Sequence, residues 1–327
     1  MTQPIISARR VITSYRNGAT AAPVQALRGI DLDIHPGEIV GLIGESGSGK
    51  STLGRALLGR APVSAGSIAW RGQDISSFRT RDFRRLRRDI QIIPQEAASS
   101  LNPRRTIGAA IAEPLLVHRP DLSRQAVRQR VLESLTSVGL PPSFMARYPL
   151  GLSGGQAQRV AIARALIAEP SLIICDEPVS ALDVSIQAQI IMLLTSLQRD
   201  RNVAMLFISH DLAVVRLIAQ RVAVMYLGRL VESGNAKAVC DRPRHPYTKA
   251  LVASVLDPDL ALTSARPRQP LAGDPPSPIS PPIGCGFSTR CPIASTACNR
   301  QPEKTTEPES AHSVWCHALD LSPADAP

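Results

Sequence analysis

The sequence predicts an α/β fold built on a mainly parallel sheet. Short, continuous apolar runs alternate with longer helical patterns, and an apolar run without polar alternation is what a parallel strand covered on both faces requires. Aromatic residues make up only 3% of a chain that is 44% hydrophobic. The core must therefore be Leu, Ile, Val and Ala, which suits helices layered on a sheet. A glycine-rich loop also joins the first of these strands to the first helix.

In order, the expected strands are 38–43, 90–94, 172–175, 203–209 and 221–226, and the helices are 50–58, 123–138, 154–168, 184–197 and 212–219. Residues 106–152 carry helical patterns without strand signals and read as part of an inserted helical subdomain, about 96–168. No fixed-period repeat or sustained heptad pattern appears. Residues 257–327 differ from the rest: they hold 13 of the 28 prolines, four of the six cysteines, and 5 Lys+Arg against 8 Asp+Glu in a chain of net charge +10. A boundary near Leu256 follows, with one domain over 1–256 and a C-terminal extension over 257–327. Residues 267–282 read as a proline-rich linker or extended arm.

A chain of 327 residues with this apolar content is not disordered and has room for more than one domain. No apolar run approaches the roughly 18 residues that span a bilayer. The opening MTQPIISARR lacks an apolar signal core, so the expected location is the cytoplasm. An excess of 37 Lys+Arg over 27 Asp+Glu suits nucleic acid, an acidic membrane face or phosphate ligands, and does not choose among them.

The loop itself is Gly44-Glu45-Ser46-Gly47-Ser48-Gly49-Lys50-Ser51, followed by Thr52, and it fits G-x-x-x-x-G-K-[ST] between a strand and a helix. Its glycines let backbone N–H groups converge on phosphate oxygens, and the helix N-terminus adds positive potential. Lys50 is placed to reach the β- and γ-phosphates and the Ser51 hydroxyl to ligate Mg²⁺. Further on, Leu172-Ile173-Ile174-Cys175 ends in Asp176 and Glu177, acids delivered at the C-terminal end of a buried strand, where open α/β sheets bind ligands. Asp176 suits Mg²⁺ held through water, and Glu177 suits a general base that polarises attacking water. Leu152-Ser153-Gly154-Gly155-Gln156 opens a second helix with an N-cap serine and exposed glycine N–H groups, a second anion site without a lysine.

At this point the chain resembles the ATP-binding subunits of ABC transporters, over roughly Ile5 to Leu256. The resemblance implies a mainly parallel core sheet with an antiparallel β subdomain, a helical subdomain and a C-terminal cysteine-containing extension. It implies that Ser153, Gly154, Gly155 and Gln156 close over nucleotide held by a partner subunit. It also implies that Gln95 contacts Mg²⁺ or its water and senses the membrane subunit, and that the loop Ser180-Ala181-Leu182-Asp183 crosses between subunits. His210 matches the switch histidine beside the γ-phosphate, and Tyr15 the aromatic that stacks on adenine.

Within that family, His245-Pro246-Tyr247-Thr248-Lys249-Ala250-Leu251, Ser100-Leu101-Asn102-Pro103-Arg104 and the run Glu177–Ser185 are similar to the dipeptide/oligopeptide and nickel importer ATPases. Glu96-Ala97 departs from that group, which commonly has Asp or Asn followed by proline there. Cys285, Cys291, Cys298 and Cys316 form C-x5-C-x6-C-x17-C. Disulfides are disfavoured in a reducing cytoplasm, and structural zinc uses tighter pairs than these. The resemblance implies a 4Fe–4S cluster, with zinc or unligated thiols as the alternatives and His312 and His317 in reserve for zinc. Cys175 reads as a core residue. Arg79–Arg88 holds six arginines and reads as a solvated helix face or a contact for acidic phospholipid or nucleic acid.

The expectation is therefore an ATP-hydrolysing subunit on the cytoplasmic face of the inner membrane, energising uptake of di- or oligopeptides, or of nickel or another small solute. Its implied partners are a second ATPase subunit, two transmembrane permease subunits and an extracytoplasmic solute-binding protein, with no nucleic acid. The rival is a soluble ABC-type ATPase acting on nucleic acid or ribosomes. Against it stand the gap of about 100 residues between Lys50 and Ser153, which has no coiled coil, and the presence of one signature rather than two.

Overall fold

The computed structural model describes residues 3–15, 23–254, 273–307 and 311–320. In chain order the elements are β1 Ile6–Tyr15, β2 Val24–Ile34, β3 Ile39–Ile43, α1 Lys50–Leu57, β4 Ala65–Trp70, β5 Gln73–Asp74, α2 Thr80–Asp89, β6 Ile90–Ile93, α3 Ile107–His118, α4 Arg124–Ser137, α5 Gly154–Leu166, β7 Leu172–Asp176, α6 Val184–Arg201, β8 Ala204–Ser209, α7 Leu212–Ile218, β9 Arg221–Tyr226, β10 Arg229–Asn235, α8 Ala236–Asp241, α9 Pro246–Ser254, β11 Lys304–Thr306 and β12 Ser313–Trp315. The α/β class expected from the apolar runs is the one observed, and the predicted strands start and stop within about two residues of their places. The chain divides into two units, Met1–Ser7 with Asp33–Ile39 and Ala69–Ile208, and Ala8–Leu32 with Val40–Ile68 and Ser209–Pro327.

In the first unit β6, β7 and β8 run parallel, with Ile92 level with Ile174 and Ile174 level with Leu206. β7 is buried along its whole length, which explains why its sequence lacks polar alternation. The region read as a helical insertion forms α3, α4 and α5, which pack on one another, with Ile107, Ile111, Val131, Leu135, Val160 and Ile162 all fully buried. Helix α2 buries only Leu86, and its arginines are exposed.

In the second unit β3 and β9 pair parallel, and β9, β10, β12 and β11 continue antiparallel in that order. The C-terminal segment thereby joins the sheet, with Val314 opposite Glu232 and Ser313 opposite Ser233. A further sheet in this unit sets β2, β1 and β4 side by side. Buried Phe287 and Val314 show that residues beyond 273 contribute to this core. Leu256 and residues 267–272 lie outside the described residues, and 273–282 carry no helix or strand. Among the described residues no helix is long and apolar enough to cross a membrane.

Candidate functional site

In the second unit the phosphate loop follows β3 and ends in α1. Gly49 is the N-cap of α1 at φ 104°, a left-handed conformation that a glycine adopts without strain. At Gly44 a Cβ would stand 2.2 Å from the Met225 carbonyl oxygen, so this first glycine lets the loop lie against β9. Lys50 is buried, and its Nζ donates to the carbonyls of Gly44 at 2.7 Å and Glu45 at 2.9 Å. The ammonium is thus folded back over its own loop. Ser48 N–H donates to the Glu45 carbonyl, while the Ser48 carbonyl accepts from Gly228 N–H at 2.9 Å. Ser48 Oγ is buried without a hydrogen-bond partner in the structure, which is what a loop shaped for an added oxygen-rich ligand would leave. Ser46 and Gly47 are exposed at the loop tip, and Ser51 and Thr52 are half-buried in the first turn of α1.

Two other predicted residues belong to this unit. Tyr15 ends β1 and is half-buried, and His210 is exposed between β8 and α7. Next to it Asp211 Oδ1 caps α7 by accepting from Ala213 N–H at 2.8 Å, and Asp211 N–H donates to Ser209 Oγ at 2.9 Å. That cap sets the direction in which the chain leaves β8.

The remaining predicted residues stand in the first unit. Asp176 is buried at the end of β7, and Glu177 follows it at φ 46°, with its N–H donating to the Ile208 carbonyl at 3.1 Å. Gln95, just beyond β6, donates from Nε2 to Glu177 Oε2 at 3.2 Å, so the structure brings these two together. Ser153 caps α5 through a reciprocal pair: its Oγ accepts from Gln156 N–H, and Gln156 Oε1 accepts from Ser153 N–H. Gly155 packs against α6, where a Cβ would meet Ile186 Cγ2 at 2.7 Å. These glycines thus permit close helix packing as well as exposing N–H groups. Asp183 is the exposed N-cap residue of α6.

Two family profiles match the chain: one described as ABC transporter over residues 27–180, and one described as oligopeptide/dipeptide transporter, C-terminal region, over 231–298. The oligopeptide transport ATP-binding protein OppF of Salmonella typhimurium is 51% identical over 297 residues, covering 91% of this chain and 89% of that one. The oligopeptide transport ATP-binding protein AppF of Bacillus subtilis is 47% identical, covering 90% and 89%. The chain belongs to the ABC transporter ATP-binding family. Among solved structures of that family, cbiO1 of Clostridium perfringens, part of an ABC transporter complex, superposes at TM-score 0.66 with 29% identity over 74% of this chain and 92% of its own. The bacterial ABC transporter cassette MJ0796, solved as a dimer, superposes at 0.65 with 30% identity over 71% and 98%.

As an ABC ATPase the chain hydrolyses ATP in coupling to transport, and ATP and Mg²⁺ are the ligands its family implies. The Ser51 hydroxyl, the Asp176 carboxylate and the Gln95 amide, expected from the sequence to hold Mg²⁺, each carry a hard oxygen of the kind that ion prefers. Sequence reasoning missed several residues that shape this ABC ATPase. Gln187 in α6 donates from Nε2 to the carbonyls of Val179 and Leu182, each at 3.0 Å, and so holds the Ser180–Asp183 loop. Its only signal in the sequence is an amide four residues after Asp183. Tyr247 and Arg290 reach Glu45 from far along the chain, and no local pattern marks them.

The cysteine expectation is corrected. Among the described residues no group of three or more His, Cys, Asp or Glu side chains is arranged to hold a metal ion, so neither the 4Fe–4S cluster nor zinc is supported by Cys285, Cys291, Cys298 and Cys316 as they stand. All four are unbridged. Burial pushes the Cys316 thiol up to about 11, with smaller contributions from Cys285, Cys291 and Cys298. The two reserve histidines are engaged elsewhere: His312 Nε2 pairs with buried Glu232 at 2.7 Å and His317 Nε2 with the Arg300 carbonyl at 3.0 Å. Glu232 also accepts from Arg244 N–H and His245 N–H, which ties the start of α9 to β10. Cys175 is fully buried in β7, the core position expected of it.

Proposed function

We propose that this chain energises uptake of di- or oligopeptides through a binding-protein-dependent ABC importer. The observation that supports this substrate most directly is the 51% identity with an oligopeptide transport ATP-binding protein, together with the C-terminal profile over 231–298. The same kinship leaves the nucleic-acid reading without an observation in its favour. Its partners are a second ATPase subunit, two permeases and a solute-binding protein, and it docks on the cytoplasmic face of the membrane. A division near residue 256 into the ATPase domain and its extension, with the helical subdomain over about 96–168, belongs to the same reading.

The proposed chemistry is positioning and charge neutralisation. Tyr15 stacks on the adenine, and the Gly44–Thr52 backbone cradles the phosphates. Lys50 exchanges the carbonyls of Gly44 and Glu45 for the β- and γ-phosphates. Bound Mg²⁺ supplies neutralising charge at Ser51, Asp176 and Gln95. Glu177 takes the proton of the attacking water at its carboxylate, and Gln95 holds one of that carboxylate's oxygens. His210 stabilises the γ-phosphate, while Ser153, Gly154, Gly155, Gln156 and Asp183 serve the nucleotide of the second subunit. ATP closes the pair and hydrolysis reopens it.

Affinity purification from gently solubilised membranes, with mass spectrometry of co-purifying chains, tests the reading. Two permeases and a peptide-binding protein support it. A binding protein that takes nickel instead redirects the substrate, and ribosomes or DNA-associated proteins without a permease end it.

A further inference from the structure

The second residue of the phosphate loop is gripped twice by chain far downstream. Glu45 N–H donates to Tyr247 Oη at 2.8 Å, across 202 residues of sequence, and Glu45 Oε2 pairs with Arg290 Nη1 at 2.9 Å, across 245. Both holders are built rather than incidental. The Arg290 side chain is 6% exposed and its guanidinium lies 6.0 Å from the centre of the Tyr226 ring, with Nη1 also donating to Tyr226 Oη. Tyr247 is fully buried and its ring meets Tyr226 at 4.7 Å and Phe287 at 5.5 Å. A buried arginine held against an aromatic ring in this way is preorganised, so little freedom is lost when it pairs with a carboxylate.

We infer that the Arg290–Glu45–Tyr247 clamp makes the C-terminal segment a positioning element of the nucleotide site, with Arg290 cancelling the charge of a carboxylate that otherwise repels phosphate. A carboxylate beside the first glycine of an anion-binding loop opposes its ligand, because like charges in a partly dehydrated site repel more strongly than in water. Glu45 is 24% exposed, too little for solvent to screen it fully. Arg290 supplies the opposite charge and fixes where the carboxylate points. Tyr247 meanwhile takes up the Glu45 N–H and thereby sets the entry angle of the loop from β3. The clamp is a tether between the extension and ATP binding that the catalytic motifs do not themselves contain.

The inference rests on the reading of residues 44–52 as the nucleotide loop, and the test separates the two. Binding of the fluorescent analogue mant-ATP with Mg²⁺ is titrated on the full-length chain, alongside KM and kcat for ATP. Arg290→Met should weaken binding about tenfold and raise KM more than it lowers kcat. Adding Glu45→Gln to Arg290→Met should recover most of that loss, because the repelling charge has gone. A purely structural Arg290 predicts no recovery, and equal weakness of the single and double variants overturns the inference. Wild-type binding in Arg290→Met overturns it as well. Should Arg290→Met fail to fold, Glu45→Gln alone decides. It should bind several-fold more tightly, since the repelling carboxylate has gone; weaker binding there overturns the clamp. Lys50→Ala is the control for the underlying reading. Undiminished binding in Lys50→Ala would mean that the loop is not the nucleotide site, whereas lost binding there with intact binding in Arg290→Met defeats the clamp alone.

Discussion

Gln95 Nε2 donates to Glu177 Oε2 at 3.2 Å, joining the residue after β6 to the residue after β7. Those strands are parallel neighbours, with Ile93 level with Cys175, so the pairing follows from the sheet and not from the loops alone. Glu177 sits at φ 46°, and its carbonyl accepts from both Ser180 N–H and Ser180 Oγ, which fixes the turn that presents the carboxylate. Gln95 thus holds one oxygen of that carboxylate.

Glu177→Gln keeps the shape and removes the proposed base. ATP binding should persist while turnover falls by about a hundredfold or more. Phosphate release measured beside analogue binding checks this, and normal hydrolysis in the variant would remove Glu177 as the base.

Gly155→Ala sets two effects against each other. Alanine favours a helix by about 1 kcal/mol, but a Cβ 2.7 Å from Ile186 Cγ2 overpacks the contact, at a cost of about 1–3 kcal/mol. Overpacking should win, lowering stability by about 1 kcal/mol. Gly154→Ala meets only the end of Leu182 at 3.0 Å and should be milder. Denaturant titration of both variants tests the order.

Gln187→Leu removes the donors that hold the carbonyls of Val179 and Leu182. Each such bond contributes about 1 kcal/mol. A loss of about 1–2 kcal/mol in stability is expected, with lowered ATPase activity because the Ser180–Asp183 loop is no longer held. Retained activity at full stability would show that other contacts hold that loop.

His245 predicts a pH dependence. Burial depresses its pKa from the ordinary 6.5 to about 4, with Lys249 adding to the lowering and Glu232 opposing it. Its Nδ1 accepts from Tyr247 N–H, so the folded protein keeps the ring neutral. The unfolded chain takes up the proton near pH 6.5, and the folded chain does so only near 4. This contribution is therefore complete above pH 6.5 and is lost as pH falls towards 4, by about 3 kcal/mol. Unfolding free energies measured between pH 7 and 4 should show that slope, and His245→Asn should flatten it.

Much of this protein was legible in its sequence because the relevant physics is local. An unbroken apolar run such as Leu172–Cys175 specifies a strand covered on both faces. The glycines of the 44–49 loop specify a backbone that few other residues can follow, and Ser153 with Gln156 specifies a helix start. What the sequence leaves open is non-local. Spacing left His312 in reserve for a metal, yet the pairing of β12 with β10 turns it onto Glu232. Four cysteines shared a tail without being arranged as ligands. Tyr247 and Arg290 lie more than 200 residues from Glu45 and meet it only because the C-terminal segment packs beside β9, a proximity decided by tertiary packing and by no pattern along the chain.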